Sequence, residues 1–149
     1  MGDETFERLR FGTVKVRVNG GSYRNIANVS RLRVRPGAMI RVRVPLIKFR
    51  QARPFRTQTL RLRVPRRLSG STAQLAVLGG ASIQFERNVP GATSFTDMLR
   101  RMRRTESRND LIIRLQRSGG DAGPNVLAKT ERTLTNVVGG RRTVRVAVR

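Results

Sequence analysis

The chain has 149 residues, 32 of them Lys or Arg against 9 Asp or Glu, for a formal charge of +23 with 38% hydrophobic residues. That length builds one domain with its own core. The absence of Cys and His excludes disulfide frameworks, zinc fingers, haem sites, catalytic thiols and every Ser-His or Cys-His relay.

The N-terminal residues MGDETFERLRFG place acids where a secretion signal needs a basic start and an apolar run. No later stretch reaches the roughly 18 uninterrupted apolar residues of a spanning helix, so a soluble chain is expected. Successive strand side chains point to opposite faces, and a hydrophobic period of two therefore marks a strand with one face in a core. The first such segment is Thr13 to Val18, with Val14, Val16 and Val18 on one side and Lys15 and Arg17 on the other, ended by Asn19-Gly20-Gly21. Asn25 to Val34 is extended, with Leu32 and Val34 alternating with Arg31, Arg33 and Arg35 before a Pro36-Gly37 turn.

The strongest strand follows, from Met39 to Leu46, with Ile40, Val42, Val44 and Leu46 inward and Arg41 and Arg43 outward. Phe49 to Phe55 reads as a basic hairpin connection, returning through Arg56 to Val64 with Leu60, Leu62 and Val64 inward and Arg61 and Arg63 outward, stopped by Pro65. Beyond a loop at Leu68 to Ser71, Gln74 to Leu78 and Ile83 to Phe85 are short strands.

The period then changes. Phe95, Met98, Leu99 and Met102 recur at helical spacing, and Ser94 and Asp97 sit at N-cap and N3, which predicts a helix over Phe95 to Arg104. Asp110 to Gln116 returns to strand, Ser118 to Pro124 is a loop or hinge, and Thr143 to Val148 is a final strand after Gly139-Gly140. The sum is seven to nine short strands with one helix. The expected fold is mainly β, a small antiparallel β-sandwich or partly open barrel with one inserted α-helix. It forms a single β-rich domain over 1–149, with 1–11 and 118–149 as loosely attached ends.

The cations are 29 Arg to 3 Lys, and guanidinium pairs bidentately with phosphate and stacks on flat rings. Three basic patches stand out. Arg31, Arg33, Arg41, Arg43, Arg61 and Arg63 form one grid if the three strands carrying them are neighbours. Arg100, Arg101, Arg103 and Arg104, with Arg108, crowd the end of the predicted helix, either as a partner-contacting knob or as its solvent side. Arg50, Arg53 and Arg56 surround Phe49 and Phe55 at the hairpin tip. With one Tyr, six Phe and no Trp, platforms for stacking single-stranded bases are few.

Isolated carboxylates, namely Glu86, Asp97, Asp110, Asp121 and Glu131, read as ion-pair partners for Arg, and no enzyme activity, metal or cofactor is expected. Gly79-Gly80 and Gly119-Gly120 lack the phosphate-loop pattern.

The run PGAMIRVRVPLIKFR, then TLRLRVP, STAQLAVLGG, TSFTDMLRRM and RNDLIIRL, over residues 36 to 117, resembles the non-peptidase C-terminal region of sporulation stage IV B-type serine peptidases. That resemblance implies an accessory β domain contacting an acidic protein, without the Gly-Ser-rich nucleophile segment of the peptidase. The residues by themselves favour an Arg-lined face that binds a polyanion, nucleic acid or a heparin-like polymer, without sequence readout. An engineered basic scaffold with no ligand is the third reading.

Overall fold

A computed structural model describes residues 8–48, 54–81, 109–117, 125–134 and 137–149. Eleven strands follow in chain order: β1 (Arg8–Phe11), β2 (Lys15–Val18), β3 (Arg24–Asn25), β4 (Arg31–Val34), β5 (Met39–Lys48), β6 (Pro54–Arg63), β7 (Thr72–Gly79), β8 (Asp110–Arg117), β9 (Asn125–Thr133), β10 (Val137–Gly139) and β11 (Arg141–Val148). Short 3-10 turns at Ile26–Asn28 and Arg66–Leu68 interrupt them, the first capped by the Asn25 side chain, which accepts from the Ala27 amide. The helix expected over Phe95 to Arg104 and the strand over Ile83 to Phe85 lie outside the described residues.

The alternating segments become the strands that their period demands. Ile40, Val42, Val44 and Leu46 of β5 are fully buried, each stabilising the fold by about 1.5–3 kcal/mol relative to an exposed side chain. They meet Leu75, Val77, Leu111, Ile113 and Leu115 in one hydrophobic core, to which both sheets contribute.

In the first sheet β5 is central. Its residues Ile40 to Arg43 pair with β6 on one edge and β2 on the other, and further along Leu46 to Lys48 pair with β1. β3 extends this sheet beyond β2 and β10 beyond β1. The second sheet runs β4-β11-β7-β8-β9.

Two strand pairs depart from the expected antiparallel arrangement. The β1-β10 and β4-β11 pairs are parallel, so both sheets are mixed, and the two sheets do not close into a barrel. The chain passes between sheets at Gly140, whose φ of 141° separates β10 in one from β11 in the other. On the opposite side, β6 and β9 approach through side chains in place of a backbone ladder. Thr130 Oγ1 donates to the Arg61 carbonyl at 2.7 Å, and Arg132 Nη1 to Gln58 Oε1 at 2.7 Å. Residues 8–11, 125–133, 137–139 and 141–148, within the stretches that the sequence marks as loose ends, contribute β1 and β9 to β11 to these ladders.

The second correction concerns β4. Short connections suggest that it lies beside β5, but it pairs in parallel with β11 in the other sheet, Arg31 opposite Arg145 and Arg33 opposite Ala147. The reason is in the turn. Gly37 after Pro36 has φ 81°, and the Ala38 amide donates to the Arg35 carbonyl at 3.0 Å, the pattern of a type II turn. Such turns splay the flanking strands instead of closing a two-residue hairpin, and here the turn carries the chain from one sheet to the other.

Candidate functional site

Side chains of β5 that do not enter the core must face water, and its partners follow in register. Arg41 lies between Arg17 of β2 and Arg61 of β6; Arg43 lies between Lys15 and Thr59; Arg63 lies opposite Met39. Six cations, Lys15, Arg17, Arg41, Arg43, Arg61 and Arg63, thus occupy the outward face of three hydrogen-bonded strands. Spacing is about 4.8 Å across strands and about 6.8 Å along them.

Nothing anionic among the described residues answers them. The two described carboxylates sit in the other sheet, where Asp110 accepts from Thr133 Oγ1 at 2.7 Å and Glu131 lies 3.7 Å from Lys129. Glu131, expected to pair with Arg, instead meets Lys129 on its own strand, an exposed pair of little energetic weight. Among the described residues no group of three His, Cys, Asp or Glu could hold a metal ion.

Tyr23 organises one corner of the face. The Arg43 guanidinium carbon lies 4.0 Å from the ring centroid and that of Arg17 4.9 Å, contacts worth about 0.5–1 kcal/mol each at exposed sites. Arg17 Nε is buried and has no hydrogen-bond partner among the described residues. At the opposite corner, Arg63 Nη1 donates to the Gly37 carbonyl at 2.9 Å, which fixes its direction while leaving its charge in place. Beyond Lys15 and Arg43 the face continues as an open groove over Pro45 and Ile47, rimmed by Arg10 and Arg142.

The six-Arg grid expected from the sequence is thus divided. Arg41, Arg43, Arg61 and Arg63 share the face; Arg31 and Arg33 are exposed on β4 in the other sheet. Lys15, Arg17 and Tyr23 join the site instead. The outward alternation of Lys15 and Arg17 is visible in sequence, but no local signal pairs β2 with β5. Arg56 is exposed on β6 opposite Leu46, off the outward row. Arg50 and Arg53 at the hairpin tip, and Arg100, Arg101, Arg103, Arg104 and Arg108, lie outside the described residues.

Comparison of the chain with protein-family models, with curated proteins and with solved structures finds no match in any of the three. Among the described residues, no helix is long and apolar enough to cross a membrane.

Proposed function

We propose that the protein binds polyanions, nucleic acid or a heparin-like polymer, on the outward face of β2, β5 and β6 without reading sequence. The observation that carries this reading is the convergence of six cations on one sheet face with no carboxylate among its described residues. Like charges on directly opposed strand positions destabilise a sheet, and a bound row of phosphates or sulfates relieves that repulsion while releasing its own counterions. The face offers no apparatus for base readout. Among its described residues the one aromatic ring, Tyr23, is engaged by two guanidiniums, and six cations suited to backbone phosphate dominate the rest of the row.

The test is the salt dependence of binding to duplex DNA, single-stranded DNA and heparin. Six neutralised phosphates on duplex DNA give a log-log slope of about −5, and steep slopes on all three polymers are expected. Absence of binding to any of them near physiological salt overturns the reading. An accessory domain for an acidic protein, as the resemblance to the stage IV B-type region implies, ignores the polymers and binds a protein; a basic scaffold without a ligand binds neither.

A further inference from the structure

The second sheet carries a different arrangement on its own outward face. Register aligns four polar side chains across four strands, Arg31 of β4, Arg145 of β11, Gln74 of β7 and Gln116 of β8. They line an open groove together with Ser71 and Arg117. No hydrogen bond or ion pair with a described residue engages the guanidiniums of Arg31, Arg117 or Arg145.

The orientation of the two amides follows from a buried charge. Arg114, 2% exposed, donates from Nε to Gln116 Oε1 at 2.5 Å. Because guanidinium has donors and no acceptor, the oxygen of Gln116 must face it, and the amide nitrogen must point the other way. That nitrogen donates to Gln74 Oε1 at 3.0 Å, so Gln74 in turn directs its own NH2 away from Gln116. Gln116 is itself 4% exposed, which holds the relay in place. The chain of dipoles ends at the Gln74 NH2, for which no described residue supplies an acceptor, in register with Arg145 and, one strand further, Arg31. Every group of this row that no described residue engages is a donor or a cation, and the buried Arg114 preorganises the amides.

From this geometry we infer that the Arg31–Arg145–Gln74 row is a discrete oxyanion site that takes a single phosphate or sulfate group, free or as a monoester. It lies on the opposite sheet from the polyanion face and does not depend on that reading. Two guanidiniums supply charge-assisted hydrogen bonds, and the Gln74 NH2 supplies a directional donor between strands.

The experiment is a titration with inorganic phosphate at constant ionic strength, reading the side-chain amide resonances of Gln74 and Gln116, with chloride as control. A saturable shift of the Gln74 NH2 signals with phosphate and none with chloride is expected. Arg31→Gln with Arg145→Gln should weaken it at least tenfold, and Gln74→Met should weaken it while both cations remain. Arg41→Gln, on the other sheet, should leave it unchanged. Glycerol 3-phosphate distinguishes the sources: binding equal to phosphate identifies a monoester site, and exclusion identifies a site for the free ion. No saturable shift, the same shift with chloride, or a shift unaltered in the folded double variant overturns the proposal.

Discussion

Arg41 gives the sharpest test of the cationic face, because stability and binding should move in opposite directions when its charge is removed. It is flanked in register by Arg17 on one strand and Arg61 on the other. Arg41→Gln therefore removes two directly opposed like-charge pairs, each destabilising by about 0.2–1 kcal/mol, with the exposed Arg61 pair at the lower end. The variant should gain about 0.5–1.5 kcal/mol at low salt, a rise in melting temperature of about 2–4 °C per kcal/mol for a chain of this size. At about 1 M salt, where the Debye length falls to about 3 Å, the gain should largely vanish. On duplex DNA the same variant should bind more weakly, with its salt slope shallower by about 0.9. Thermal unfolding at the two ionic strengths and a salt titration on DNA supply the four numbers. A variant that is less stable than the parent, or whose stability change ignores salt, would show that Arg41 is held by attractive contacts, and the repulsive-grid argument fails.

Tyr23→Ala removes the ring on which Arg17 and Arg43 stack and should lower polyanion affinity several-fold without changing the salt slope, since no charge is lost. A Cβ at Gly79 would fall against the backbone carbonyl of Val138, where β7 crosses β10, so Gly79→Ala should cost about 1–3 kcal/mol in denaturant unfolding. Arg114→Met leaves Gln116 Oε1 buried without its donor and should cost about 1–3 kcal/mol; it should also release the Gln74 amide, broadening its side-chain resonance.

Period-two alternation made β2, β5, β6 and β11 legible, because each sets a buried row against a more exposed one, while β7 and β8 are buried on both faces and show as apolar runs. β9 escaped that rule. Its Leu127 and Ala128 are adjacent and both partly buried, Val126 is 40% exposed, and a register shift at Leu115/Gln116 in β8 breaks the pairing. β10 is three residues long and ends in glycine, too short for any period to register. Partner choice was the larger loss. Arg31 meets Arg145 across more than a hundred residues of chain, and alternation describes faces without naming neighbours. One local signal did exist, since Pro36-Gly37 is the dipeptide of a type II turn and argues against a tight hairpin there. The buried Arg114 was illegible for a related reason: an Arg at an outward position reads as solvated until the structure buries it.

β5 is bonded along both edges and buried along its inner face. Backbone amides so enclosed open only with the global unfolding event, while those of edge strands exchange through local fluctuations. Arg41 and Arg43 are therefore mounted on backbone that opens late, with the global unfolding event. Their mutual spacing outlasts any single encounter with a ligand, and a departing polymer leaves behind a surface already shaped for the next one.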